Sequence, residues 1–441
     1  MGKKVFSNVF FSIVDKTIVF VSSMLISVAL ARYLGAVDYG KYTFFSVMYT
    51  FVKSFACFGM SEIITKEIAA NEDKQKTILS AALIVSIIAS LITELGIVVL
   101  QLATNFLSWF EVVALGAMCF SSICQIFSYY LTATYQLKRV VNIKNVLQIV
   151  FFFIYIFLIL QRSPIEMVIF VFALRECCIL GVSFLVFVFF REENRLSEQG
   201  IIISEIFLMV KKLICLGFPL LLAGLSVTLY MKIDQIMIKS MLGEEQLGIY
   251  SVGIKLVDAF FFIPSAITTG MLPYFAEHYK NSEYFWKRFE EFACALNLLA
   301  YIYVIFLILF GKWIISFLYG EEYLGALTIM KVTVWTVIPV CMGCVRGIYL
   351  SIMEYSGLSF FISIMAAIMN LVMNYLLMPV FGISGAAIAS VISYCVQGFV
   401  LTFLFPSLKQ MSKVQVKSLY NFLNLFEEVK LQLCKNTTCI K

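Results

Sequence analysis

Eleven ionisable side chains fall inside stretches of this 441-residue sequence that are otherwise apolar. The cations are Lys16, Lys53, Arg175, Lys232, Lys255 and Arg346, and the acids are Asp15, Glu94, Glu176, Asp234 and Asp258. A charge in the middle of hydrocarbon costs about 3 kcal/mol on insertion scales, so such a group faces a partner or a water-filled cavity. Cations gathered on a cavity wall hold an anion. Carboxylates in the same setting take up and release a proton or a small cation. All six cations are therefore candidates for lining the path of an anionic substrate, and Glu94, Asp234 and Asp258 are candidate coupling-ion sites. Internal pairing is the competing expectation. Lys255 and Asp258 are three apart and share a helix face. Asp15-Lys16 and Arg175-Glu176 are neighbours whose side chains diverge, so at least one of each pair needs a partner elsewhere.

Other patterns carry little chemistry. Gly35 to Lys41 fits most of a phosphate-binding loop, but Tyr42 stands where Ser or Thr should hold magnesium, and the segment follows an apolar helix instead of a strand. Cys341-x-x-Cys344 has metal or redox spacing but lies in an apolar run with no second ligand pair. The single histidine, His278, is flanked by charged and aromatic residues in a polar loop and reads as solvated. No metal centre, cofactor or catalytic constellation is expected, and an enzyme is not indicated.

The surroundings of those charges set the class. The chain is 61% hydrophobic and 14% charged, with a mean hydropathy of +0.95. A soluble domain of this size would expose too much of that to water. Twelve apolar runs follow one another, at about 7–33, 42–62, 77–102, 109–135, 143–161, 165–190, 206–238, 249–273, 290–311, 331–352, 358–380 and 384–406. Each is long enough to cross about 30 Å of hydrocarbon as a helix. An all-α polytopic membrane protein follows, since the runs are continuous rather than alternating.

With the N-terminus inside, 21 of the 33 Lys and Arg residues fall in inner segments and 6 in outer ones. That bias places both termini on the cytoplasmic side and accounts for the net charge of +6 without a nucleic-acid partner. The expected organisation is an N-terminal six-helix bundle over 1–190, a cytoplasmic linker over 191–205 and a C-terminal six-helix bundle over 206–406. A cytoplasmic amphipathic tail over 407–441 would lie on the inner membrane face, with Val416, Leu419, Phe422, Leu423, Phe426, Val429 and Leu433 as its apolar stripe.

A near-repeat ties the halves together. Leu34-Gly35 followed by Gly40-x-Tyr42 recurs 208 residues later as Leu242-Gly243 followed by Gly248-x-Tyr250. Duplicated bundles that face each other make a central cavity, as in many transporters. Pro219, flanked by Gly217 and Gly224, and Pro264 are expected to interrupt the seventh and eighth helices.

The ordered motifs resemble the polysaccharide biosynthesis membrane proteins. These are the Wzx-type O-antigen and capsule flippases of the multidrug/oligosaccharidyl-lipid/polysaccharide exporter superfamily. The resemblance covers about residues 5–405. It rests on Ala31-Arg32-Tyr33-Leu34-Gly35 with Asp38-Tyr39-Gly40-Lys41-Tyr42, on Phe58-Gly59-Met60 leading to Lys66-Glu67-Ile68-Ala69, and on Asp234-Gln235-Ile236-Met237-Ile238 with Leu247-Gly248-Ile249-Tyr250. Gly320-Glu321-Glu322-Tyr323 and Phe381-Gly382-Ile383-Ser384-Gly385-Ala386-Ala387 extend it.

The resemblance implies a V-shaped pair of six-helix bundles in a bacterial cytoplasmic (inner) membrane. The implied substrate is an undecaprenyl-diphosphate-linked oligosaccharide moved to the external leaflet for O-antigen, capsule or another surface polysaccharide. It also implies contact with membrane lipids and with the polysaccharide polymerase and chain-length machinery. Lys16, Lys53 and Lys255 stand on the helices where the related lipid II flippases carry cavity cations. A cation-coupled multidrug exporter of the same superfamily is the alternative.

Overall fold

The computed structural model describes residues 2–134, 137–189, 203–279 and 282–421, with the side chains of 2–18, 72, 137–139, 282 and 356 outside that description. Lys16 and Asp15 therefore sit on a described helix with undescribed side chains. Most of the linker expected over 191–205 falls outside as well, its residues 203–205 being the start of a helix, and so does the tail beyond Asn421.

Among the described residues every regular element is a helix. Eleven are long and apolar enough to cross a membrane. The twelve runs map onto these eleven because the first two merge. Helix α1 (Gly2–Cys57) is two helices that abut at a kink at Gly35, whose φ of 71° and ψ of 175° are not helical. At 1.5 Å per residue, 56 residues would reach about 84 Å, more than twice a bilayer core, so the break at Gly35 makes two spans of it.

The chain divides into two compact units, Met1–Thr228 and Leu229–Lys441. The amino-terminal unit holds α1, α2 (Ser61–Ala70), α3 (Gln75–Thr104), α4 (Trp109–Ser121), α5 (Gln125–Ala133), α6 (Leu137–Leu160), α7 (Ile165–Phe189) and the first part of α8 (Ile203–Leu242). Its α1 packs on α3, α4, α6 and α7. At the other end, Ile64 and Ile68 of α2, Ile78 and Ala82 of α3, Tyr130 and Leu131 of α5, Val186 of α7 and Leu213 of α8 form one buried cluster. Ser108 starts α4 with a capping box, its hydroxyl accepting from Glu111 N at 3.2 Å while Glu111 Oε2 accepts from Ser108 N at 2.7 Å.

The unit boundary lies within α8, between Thr228 and Leu229, not in the polar segment before it. The reason is a close approach. Phe58 and Gly59 both take left-handed backbone angles in the turn after α1. A Cβ on Gly59 would fall 2.6 Å from Leu221 N, and one on Gly217 would fall 2.9 Å from Phe58 O. Only glycines let this turn seat against α8. Lys212 Nζ to Glu67 Oε1 at 2.7 Å adds a surface ion pair. Helix α8 runs through Pro219 without interruption.

The carboxyl-terminal unit continues with α9 (Glu244–Asp258), α10 (Phe262–His278), α11 (Ser282–Leu318), α12 (Ala326–Thr333), α13 (Val337–Ile352), α14 (Ser356–Phe381), α15 (Ile383–Cys395), a five-residue π turn over Val396–Val400, α16 (Leu401–Leu404) and α17 (Lys409–Tyr420). Gly243 joins α8 to α9 with φ 93° and ψ 178°, nearly the geometry of Gly35, so the sequence repeat is also a backbone repeat. A short 3₁₀ turn over Ala259–Phe261 separates α9 from α10. Pro264 follows in the first turn of α10, where its missing N–H leaves no helical bond unmade.

Helix α17 packs on α11 and α13. Its buried residues are Met411, Ser412, Val414, Gln415 and Ser418, whereas Val416 is exposed. The buried face is thus not the stripe expected for lipid, and protein covers it. Asn297 Nδ2 donates to Ser418 Oγ at 2.7 Å, and Tyr301 OH donates to Leu419 O at 3.2 Å. The Glu290 carboxylate, 3.0 Å from Lys417 Nζ, raises the pKa of that ammonium above its ordinary value.

The outer skin is apolar. Ile92, Leu95 and Leu102 of α3, Phe153 of α6 and Leu309 of α11 are all more than 60% exposed. Such surface suits lipid and no aqueous compartment. The chain is a multi-pass membrane protein.

Candidate functional site

The carboxyl-terminal unit builds an acidic cavity from four of its helices. Asp234, on α8, is 4% exposed. Its Oδ2 accepts hydrogen bonds from Tyr250 OH of α9 and, at 3.3 Å, from Ser390 Oγ of α15. Its Oδ1 accepts from the N–H of Gln235 at 2.8 Å. Ser390 is presented by a run of small residues, Gly385, Ala386, Ala387 and Ala389, all buried on α15, which allows close helix packing. Tyr230, Asp258, Thr333, Thr336 and Tyr394 complete the polar lining of a cavity of about 20 Å³, enough for roughly one water or a small ion.

Asp258 and the nearby cations sit at the margin. Lys232 Nζ lies 3.7 Å from Asp258 Oδ2, with side-chain exposures of 26% and 34%. Lys255, half-buried, precedes Asp258 by three residues on α9. Four of the sequence-derived candidates, Lys232, Asp234, Lys255 and Asp258, are therefore brought into one neighbourhood by the α8–α9 pair. Asp258 finds its ion pair across helices, on α8.

The amino-terminal unit gathers a second set. Arg175 of α7 is 8% exposed. It donates through Nε at 3.1 Å and Nη2 at 2.7 Å to Glu176 Oε1. Adjacent helix positions diverge, yet the long arginine side chain curls back far enough to close the pair. Glu176 also takes a partner from α1, Tyr49 OH donating to its Oε2 at 3.0 Å. The guanidinium lies 4.9 Å from the Phe172 ring centroid. One turn along α1, Lys53 Nζ is 5.8 Å from the Tyr49 ring centroid. Among the described residues no carboxylate lies within ion-pair distance of Lys53. A chain of Lys53, Tyr49, Glu176 and Arg175 thus leaves one net positive charge in the apolar spans.

Two candidates stand apart. Glu94 of α3 lies against Gly116 of α4, where a Cβ would meet its Oε1 at 2.6 Å, and its Oε2 is buried with no hydrogen-bond partner among the described residues. Arg346 of α13 is 3% exposed. Its Nη1 donates to the Gln397 carbonyl in the π turn and to Thr402 Oγ1 at 3.2 Å. Lys16 lies outside the described side chains. The thiols of Cys341 and Cys344 are free, and no cluster of metal-binding side chains occurs among the described residues.

Sequence reasoning missed Tyr49, Ser390, Tyr394 and Gln415, and it marks Tyr250 only as part of the repeat. The position of Tyr250 about two turns past the Gly243 pivot, after an apolar run bearing Asp234, was the available signal.

Residues 5–279, well over half of the chain, match the polysaccharide biosynthesis protein family. The chain belongs to that family. Residues 219–376 of this polysaccharide biosynthesis protein also match the MatE family. No curated protein matched its sequence. Among solved structures it is similar to the lipid II flippase MurJ in an inward closed conformation, at 15% identity and a TM-score of 0.68, covering 95% of this chain and 92% of that one. It is similar to an inward-facing multidrug resistance MATE transporter of the MOP superfamily, at 15% identity and a TM-score of 0.61, covering 92% and 95%. A MOP superfamily transporter from Pyrococcus furiosus gives 13% identity and a TM-score of 0.59, covering 92% and 96%. At such identities the likeness is one of fold. The polysaccharide biosynthesis protein has the fold of MOP superfamily transporters.

Proposed function

We propose that this chain is a flippase that moves undecaprenyl-diphosphate-linked oligosaccharide repeat units from the cytoplasmic to the external leaflet by alternating access, for O-antigen, capsule or another surface polysaccharide. The observation that carries the reading is Lys53, a cation on an apolar span with no carboxylate partner among the described residues, in a chain whose family is polysaccharide biosynthesis. A diphosphate and its sugars cannot cross hydrocarbon unaided. Lysines and arginines hold the diphosphate as point charges or forks while the prenyl tail stays in lipid.

Lys16, Lys53 and Arg175 in one unit and Lys232 and Lys255 in the other are the proposed head-group cations. Asp234 and Asp258 are the proposed coupling-ion sites, and Glu94 is a third. No step of bond making or breaking is assigned to the chain. The proposed setting is the bacterial cytoplasmic membrane with both termini inside, alongside the polymerase and chain-length machinery. Drug export is the alternative, and the match to the MatE family over 219–376 supports the shared fold without favouring that substrate.

The test is a strain lacking the gene, with a plasmid copy as control, in which surface polysaccharide and undecaprenyl-diphosphate-linked units are quantified together. Loss of polymer with build-up of single units on the cytoplasmic side is expected. Normal polymer and no build-up, with no redundant flippase present, would overturn the reading.

A further inference from the structure

A buried cation in a membrane span usually meets a carboxylate, water or substrate, but Arg346 meets a main-chain carbonyl. That carbonyl, Gln397 O, belongs to the π turn between α15 and α16. The next carbonyl in the same turn, Gly398 O, accepts from Gln415 Nε2 of α17 at 2.9 Å. The same Gln415 nitrogen lies 3.3 Å from Met342 O on α13. Gln415 is 1% exposed. Gly398 sits directly against α13, where a Cβ would collide with Pro339 O. Three independent contacts therefore converge on five residues of one helix.

A π turn holds one residue more than the α-helix it interrupts, and such turns are uncommon and concentrate at functional positions. Relaxation to regular helix would rotate one flank against the other by about 100° and shift it by about 1.5 Å. On one flank, Thr402 is fixed by Arg346 Nη1. On the other flank, Tyr394 and Ser390 lie on α15 just before the π turn, which begins at Val396, and line the Asp234 cavity. The rotation would fall on that flank and carry Ser390 away from Asp234.

We propose that Arg346 and Gln415 are positioning residues that hold this π turn, so that α15 presents Ser390 and Tyr394 to the Asp234 cavity. Helix α17 is then a latch on the cavity, working through main-chain carbonyls. Arg346 serves this helix and not the substrate head group. The geometry stands by itself; only the transport consequence rests on reading the cavity as a coupling site.

Hydrogen exchange followed by mass spectrometry on the purified full chain in nanodiscs tests it. In Gln415→Leu and in Arg346→Met, exchange across 388–402 should rise roughly tenfold, the scale of a lost buried hydrogen bond with its orphaned carbonyl. Peptides over Ile63–Val85 should be unchanged. Arg346→Lys, which keeps a donor for Gln397 O, should restore most of the protection. Exchange unchanged over 388–402 in both variants overturns the proposal, as does a rise that stops at the π turn and spares 388–395. If Arg346→Met does not fold, Gln415→Asn decides: its shortened amide should give the same local rise, and its failure to do so overturns the proposal. These readouts do not depend on the substrate, so loss of the flippase reading leaves them interpretable.

Discussion

Tyr250 reaches back across the Gly243 pivot to donate its hydroxyl proton to Asp234, sixteen residues earlier. The first copy uses another tyrosine, since Tyr39, three residues before the repeat equivalent Tyr42, has its OH 2.6 Å from Ser27 Oγ across the Gly35 break. Each pivot is thus closed by a tyrosine bonded to the preceding helix. In the second copy the acceptor is a carboxylate, the Asp234 proposed above as a coupling-ion site.

Tyr250→Phe should therefore weaken the fold. The buried carboxylate loses a donor, so stability should fall by about 1–3 kcal/mol, read as a lowered thermal midpoint of the purified protein. Asp234→Asn keeps the shape and removes the charge. It should cut transport at least tenfold with little change in the midpoint. Full transport in Asp234→Asn would remove Asp234 from the coupling set.

Lys53 gives the cleanest test of the head-group cations. It has no carboxylate to release among the described residues, so Lys53→Ala should leave stability within about 0.5 kcal/mol while surface polymer is lost. Lys53→Arg should retain polymer. A Lys53→Ala strain with wild-type polymer would exclude Lys53 from the path.

The Arg175–Glu176 pair should behave in the opposite way. Removing one member of a buried pair strands the other, at a cost of about 3–5 kcal/mol. Glu176→Gln and Arg175→Met are expected to lower the thermal midpoint strongly and reduce the yield of folded protein. Tyr49→Phe, which removes only a donor to Glu176, should cost about 1 kcal/mol.

Two contacts on α17 separate surface charge from buried polarity. Lys417→Met breaks an exposed pair and should cost under about 1 kcal/mol. Because Glu290 raises the Lys417 pKa, that contribution is present through neutral pH and is lost only as pH climbs past the ordinary lysine range. Ser418→Ala orphans Asn297, which is 1% exposed, and should cost about 1–3 kcal/mol at every pH. Equal melts for the two variants would contradict this ordering.

The spans were legible because each apolar run is as long as a bilayer is thick. The break in α1 was legible too, since the runs 7–33 and 42–62 leave Gly35 between them, where the backbone leaves helical angles. The ionisable candidates stood out because a charge inside such a run is costly enough to need a partner or a cavity. Their partners did not. The chain has 22 tyrosines, and nothing local marks Tyr49 as one that meets a carboxylate. The Arg175–Glu176 pair was hidden because adjacent helix positions diverge at Cβ, whereas a side chain as long as arginine's can return. Gln415 was invisible because its acceptors are main-chain carbonyls, which every residue offers.

The seating of Gly59 against Gly217 has a consequence for cutting the chain in two. A break in the polar stretch over 190–202 leaves α8 covalently on the second fragment, while residues up to 228 still belong to the compact body of the first. The first fragment alone would bare the notch at Phe58–Gly59 and one side of the Ile64–Tyr130 cluster. The two pieces, made together in one cell, carry matching halves of that fit, so they should reassemble through the helix that one lends to the other.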